Sequence, residues 1–116
     1  MAQLSKIELE TLFTKVDEKL KHPVDLFVIG GASAILGYNV TKQTNDVDLD
    51  GKVNKEVHKL FAEVATAQGL NIHLSEVGVF APPDGYRARM VRHDFKNKKL
   101  RVWTSLTASV KAILVN

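Results

Sequence analysis

Apolar and polar positions follow two rhythms along this chain. Leu9, Leu12, Phe13, Val16 and Leu20 recur every three or four residues, which gathers them on one side of a helix. Ser5-Lys6-Ile7-Glu8 precedes them with capping-box spacing, and His22-Pro23 follows as a stop, so a helix is predicted over 5–21. Asp25-Leu26-Phe27-Val28-Ile29 is a short apolar run of strand formers closed by Gly30-Gly31, and it predicts a buried strand. Ala32 to Leu36 predicts a short helix ending near Gly37, and residues 38–45 are polar and irregular. Asp46-Val47-Asp48-Leu49-Asp50 alternates strictly, with acids on one face and Val47 and Leu49 on the other.

Asn54 is suited to cap the next helix, whose stripe is Val57, Leu60, Phe61, Val64 and Ala65 and whose stop is Gly69. Leu70 to Leu74 predicts a third strand, and Pro82-Pro83-Asp84-Gly85 a turn. Tyr86–Phe95 and Leu100–Thr104 predict a hairpin around Lys96-Asn97-Lys98-Lys99, and Thr107 to Val115 a closing helix. The order αβαβαβββα implies an α/β (α+β) domain, a mixed sheet with helices packed on it. No repeat, low-complexity tract or linker divides residues 1–116, which read as a single domain.

Composition narrows the chemistry. The chain has 116 residues and no Cys, which excludes a disulfide framework, a Cys-ligated zinc site and a thiol nucleophile. Its longest apolar stretches, Leu26–Ala34 and Ala112–Val115, fall well short of the roughly 20 residues a membrane span needs. The N-terminal segment lacks an apolar signal core, so a cytoplasmic protein without membrane contact is expected. A net charge of +3 is mildly basic and argues only weakly for anionic partners.

The informative chemistry is a pair of motifs. A strand, Gly30-Gly31 and a helix start together present free backbone amides and the positive end of a helix dipole, where a phosphate can approach closely. Asp46 and Asp48, two residues apart on a strand, share a face and can share a divalent cation. A phosphate cradle beside a carboxylate pair is the minimum for metal-assisted phosphoryl or nucleotidyl transfer.

Val28-Ile29-Gly30-Gly31-Ala32-Ser33-Ala34 and Lys42-Gln43-Thr44-Asn45-Asp46-Val47-Asp48-Leu49 resemble the polymerase-beta-like nucleotidyltransferase superfamily, closest to its small bacterial AbiEii-like and DUF6036-type members. Pro83 to Arg89 and Leu100-Arg101-Val102-Trp103 extend the resemblance over most of residues 24–115. It implies the nucleotidyltransferase fold and transfer of an NMP from an NTP to an acceptor, a protein or RNA, with Mg²⁺ or Mn²⁺. Asp46 and Asp48 would be catalytic and bind the metal. Gly30, Gly31, Ser33, Lys42 and Thr44 would hold the nucleotide, and Arg87 and Arg89 are candidates for substrate contact. A toxin–antitoxin or phage-defence setting, a toxin or antitoxin partner and a homodimer are further expectations of the same kind.

The chain also departs from that pattern. Fourteen residues separate Gly31 from Asp46, and Gly31 stands where many relatives carry Ser. Active members place a third carboxylate on a later strand, yet Leu100-Arg101-Val102-Trp103-Thr104 has none. Glu76 and Asp94 are the nearest candidates for that acid, neither in a clear strand context. Relatives commonly continue past the point where this sequence stops, so a missing C-terminal helical tail is expected.

Two rival readings follow. One is a catalytically degenerate member that binds nucleotide or a protein partner. The other is a nucleic-acid-binding module using Arg87, Arg89 and the lysines at 96–99. Asp50 reads as solvated, and His58 and His73 as structural.

Overall fold

A computed structural model describes residues 5–29, 32–33, 35–36, 46–76 and 90–104. Its elements are α1 (Lys6–Lys19), β1 (Val24–Ile29), β2 (Asp46–Leu49), α2 (Lys55–Ala67), β3 (His73–Glu76), β4 (Val91–Asp94) and β5 (Leu100–Thr104). Residues 32–33 and 35–36 are helical as well.

Helix α1 starts where its cap dictates. Ser5 Oγ accepts from the Glu8 amide at 3.1 Å, and Glu8 Oε1 accepts from the Ser5 amide at 3.1 Å, so two otherwise orphaned donors are satisfied reciprocally. Leu9, Leu12, Phe13 and Val16 are fully buried. Helix α2 begins after Asn54, whose side chain accepts from the Glu56 amide at 2.9 Å. It ends at Gly69, with φ of +78°, where the Leu70 amide donates to Ala65 O at 2.9 Å and the Gly69 amide to Thr66 O at 3.0 Å.

The five strands form one mixed sheet in the order β3-β2-β1-β5-β4. β1 is antiparallel to β2 and parallel to β5, β2 is parallel to β3, and β4 is antiparallel to β5. Strand alternation divides the sheet into two faces. Leu26, Val28, Val47, Leu49, Leu74, Leu100 and Val102 lie on one face, and they form a single apolar cluster with the inner sides of α1 and α2. Phe13 sits at its centre, 6.1 Å from Phe61 and 5.9 Å from Phe95 between ring centroids. The other face carries Asp25, Phe27, Asp48, Arg101 and Trp103, all half-buried, and Asp46 and His73, both exposed.

The expected class, a mixed sheet with helices packed on it, is the observed one. The third strand begins three residues later than its apolar run predicts, because Leu70 is still engaged in the helix stop. The turn at 82–85, the first part of the expected hairpin strand and the closing helix at 107–115 lie outside the described residues.

One fold-defining contact has little precedent in the sequence pattern. Asp17 is fully buried on α1, and its carboxylate accepts from the amides of Asn97, Lys99 and Leu100, each at 2.7 Å. A helix carboxylate thereby takes up three donors of the β4–β5 turn, where Lys98 adopts a φ of +55°. The lysines of this turn, read as a candidate nucleic-acid contact, surround a segment whose backbone is pinned to α1.

Candidate active site

The position of the acidic strand follows from two alternations. Val47 and Leu49 are driven into the core, so Asp46 and Asp48 must face the other side of the sheet. The antiparallel register of β1 and β2 then sets Ile29 opposite Asp48 and Val28 opposite Leu49. Ile29 is the residue that leads into Gly30. The Asp-x-Asp pair therefore lies beside the end of β1 that precedes Gly30-Gly31 in the sequence, though the two motifs are separated by 14 residues. Asp50 follows on the same side, its amide donating to Phe27 O at 2.9 Å.

Strand β3 adds two neighbours that the sequence pattern did not single out for this site. Its parallel register puts His73 beside Asp46 and Ser75 beside Asp48. Side chains so paired lie roughly 5 Å apart at Cβ. Leu74 points to the core between them, which orients both toward the acids' face. His73, read from sequence as structural, is exposed there.

Glu76 and Asp94 both end strands, a context that the sequence alone did not make clear. Neither carboxyl comes beside Asp48. Glu76 pairs with Leu49 in register and so belongs to the helix-covered side. There it accepts from the Val53 amide at 3.0 Å and meets His58 Nε2 at 2.8 Å. The Val53 amide, then His58, holds the Glu76 carboxyl below its ordinary range. Asp94 lies on β4, three strands from β2, or roughly 14 Å at one strand spacing per step. It pairs with Arg92 at 3.2 Å.

Ser33 is fully buried, so a direct contact with substrate requires its surroundings to shift. Gly30, Gly31, Lys42, Thr44, Arg87 and Arg89 lie outside the described residues. As hard oxygen donors on one face, Asp46 and Asp48 suit a magnesium ion that keeps waters and substrate phosphates as its remaining ligands. Among the described residues no group of three or more His, Asp or Glu side chains is arranged to hold a metal by itself.

A second polar cluster occupies the same face one strand over. Arg101 donates to both oxygens of Asp25, from Nε at 2.7 Å and Nη2 at 2.8 Å. Trp103 Nε1 donates to Asp25 Oδ1 at 3.0 Å. The Trp103 ring stacks on Phe27, with centroids 6.0 Å apart and planes 19° from parallel, and the Arg92 guanidinium lies 5.9 Å from its centroid. This row forms a hydrogen-bonded and stacked wall beside the acidic strand. Between it and the loop after β2 is a hollow of about 260 Å³ lined by Asp25, Phe27, Asp50 and Lys52 together with Leu49, Gly51 and Val53. A larger hollow, about 570 Å³, lies at the opposite end of β1 between the end of α1 and the start of α2. It touches neither motif.

No helix among the described residues is long and apolar enough to cross a membrane. No curated protein and no solved structure is similar enough to the chain to supply a relative or a fold neighbour. A family model described as a nucleotidyltransferase of unknown function (DUF6036) matches residues 7–110, a span that includes every described strand, α2, all of α1 but its first residue, and both motifs. The chain belongs to that nucleotidyltransferase family.

Proposed function

We propose that the protein is a metal-dependent nucleotidyltransferase that moves an NMP from an NTP to a hydroxyl of a protein or RNA acceptor. The observation that carries this reading is the β1–β2 register, which brings Asp48 opposite the residue preceding Gly30-Gly31. Asp46 and Asp48 would hold Mg²⁺ or Mn²⁺, with Gly30 and Gly31 offering backbone amides to the phosphates and Lys42 and Thr44 adding contacts from the loop. A divalent ion bound by the two carboxylates would neutralise phosphate charge and polarise the α-phosphoryl group. The acceptor hydroxyl oxygen would attack the α-phosphorus as the bond to the β-phosphate oxygen breaks; pyrophosphate would leave with that electron pair, and the hydroxyl proton would pass to water.

The fixed strand geometry supports this assignment. Carboxylates repel on one face, and a cation between them relieves that repulsion. Both side chains are held by a strand whose alternate residues are locked in the core, so little ordering remains to be done on binding.

A second reading is nucleotide binding without turnover. It is favoured by the placement of Glu76 and Asp94, since the residues that β1 and β3 set beside Asp48 are Ile29 and Ser75, neither of them a carboxylate. On either reading, a bacterial toxin–antitoxin or phage-defence role with a toxin or antitoxin partner fits the expectation drawn from the sequence, as does a homodimer.

Incubation with each α-phosphate-labelled NTP and Mg²⁺ separates the two readings. Transferase activity predicts label on the protein or on added RNA, with pyrophosphate released in equal amount. It also predicts a loss of at least about a hundredfold in Asp48→Asn. Nucleotide binding without any transfer, across all four NTPs and both metals, supports the degenerate reading.

A further inference from the structure

Three segments distant in sequence meet at the end of the molecule away from the Asp-x-Asp pair. The Val24 amide donates to Lys99 O at 2.7 Å, and Asp17 accepts from the amides of Asn97, Lys99 and Leu100, so the end of α1 and the β4–β5 turn lie side by side. The start of α2 faces the end of α1 across the hollow of about 570 Å³. β1 runs from this end at Val24 to Ile29 beside Asp48, roughly 17 Å at strand rise.

Positive charge collects here. Lys19, Lys21, Lys55, Lys96 and Lys98 are exposed, and Lys99 is half-buried. Against these six lysines, residues 17–24, 54–57 and 95–100 carry the acids Asp17, Glu18 and Glu56, which leaves +3, the net charge of the whole chain. The ion pairs among the described residues lie elsewhere, so none of the six lysines is matched to a carboxylate there. The hollow adds shape. Its least exposed lining is apolar, at Leu20, Val24, Val57 and Leu60, while Lys19, Lys21 and His22 stand exposed around it. Its volume falls within the roughly 300–1,000 Å³ of ligand pockets, room for an unstacked base with its sugar.

The kind of polyanion follows from what accompanies the charge. A membrane surface calls for exposed apolar anchors beside the lysines. The exposed large apolar residues are Ile7, in the first turn of α1, and Val91, paired with Thr104, both away from this end. Six ammonium groups without an arginine set no bidentate geometry for the carboxylates of an acidic protein, yet they neutralise a repeating phosphate backbone. A duplex keeps its bases stacked, whereas RNA loops and ends present unstacked ones. We propose that this end of the molecule is a docking surface for single-stranded RNA, with phosphates on the lysines of α1, α2 and the β4–β5 turn and an unstacked base in the hollow. The surface is independent of the chemistry at Asp46 and Asp48; if those residues transfer an NMP, it makes RNA the acceptor.

The test is fluorescence anisotropy of a labelled RNA of about 12 nucleotides and mixed sequence, titrated with the full chain at about 50 to 200 mM salt. No NTP or divalent metal is present, so the outcome is separate from that of the nucleotide site. Affinity is expected to fall with salt by a slope of about −0.7 per phosphate neutralised. Lys19→Gln/Lys21→Gln and Lys96→Gln/Lys98→Gln change exposed residues and are expected to melt with the parent. Each pair should weaken binding about fivefold or more and flatten the slope by about 1.4. Lys6→Gln, at the opposite end of α1, should leave affinity within about twofold. An abasic RNA of the same length should bind about fivefold weaker with the slope unchanged. Absence of binding at the lowest salt, or affinity unchanged in both lysine pairs, would overturn the proposal. So would abasic or duplex RNA that binds as tightly as the single strand, or tighter binding of single-stranded DNA, polyglutamate or phosphatidylserine vesicles.

Discussion

Asp25 sits between Arg101 and Trp103, and the Arg101 hydrogen bond in particular holds its carboxyl below the ordinary aspartate range against the opposing effect of burial. Its contribution to stability is modest, because both partners are about a third exposed and screened by water. His93 is shifted by the opposite imbalance. Burial, aided by the charge of Lys6, pushes its imidazole below the usual value while Nε2 meets Thr104 Oγ1 at 2.8 Å. Both signs point the same way in acid. A depressed histidine leaves the unfolded chain with more bound protons below the ordinary value of 6.5, so stability falls as pH drops through that point toward the folded value. A depressed aspartate contributes stability above its ordinary value of 3.8 that is lost as pH falls through its lower folded value. Chemical denaturation as a function of pH should therefore show a decline that starts near 6.5 and a second one below about 4. His93→Gln should remove the first and Asp25→Asn should flatten the second; an unchanged profile in either variant would contradict that assignment.

The same residues show what could be read without a structure. Asp46 and Asp48 are visible because the strand alternates within five consecutive residues. The Asp25–Arg101–Trp103 cluster is not, because its members are brought together by a β1–β5 register between residues 76 and 78 apart. Nothing local distinguishes Asp25 from any other polar residue at the start of a strand.

Among the elements, α1 was legible in full, from the capping box at Ser5 to the stop before Pro23, since every signal lies within a turn of the residue it controls. The start of β3 was not. Leu70 looks like strand, but its amide closes the end of α2, and the strand can begin only afterwards. That shift moved Ser75 into the strand and beside Asp48, and it is why the β3 side of the site was missed. Asp17 was missed for another reason. Its position, four residues after Phe13, lies on the apolar face, and a charge there signals a buried partner without naming it. Its three amide donors tie α1 to the β4–β5 turn. Asp17→Ala should cost about 2–4 kcal/mol, because it strands buried or partly buried N–H groups. Urea unfolding measures this directly, and a cost below about 0.5 kcal/mol, typical of a surface change, would contradict the tie.

At the scale of the molecule, the sheet separates two tasks. One face is committed to the core with α1 and α2, and its packing fixes the direction of every intervening side chain. The other face carries the acidic strand, the aromatic row and a hollow of about 260 Å³ within a few strand steps of one another. Sequence spacing was enough to associate the Gly-Gly and Asp-x-Asp motifs. It could not say that β1 and β2 are antiparallel neighbours, because strand order is set by the packing of the whole sheet. The central claim is that these motifs form a metal-dependent nucleotide site. Its most direct test is the melting temperature of the protein with each NTP, with and without Mg²⁺ or Mn²⁺, compared with Asp46→Ala/Asp48→Ala. A ligand that binds the folded state at a hundred times its dissociation constant stabilises by about 2.7 kcal/mol. The account predicts a rise of several degrees that requires the metal and vanishes in the double variant. A melting temperature unmoved by every nucleotide, or raised equally in the variant, would contradict it.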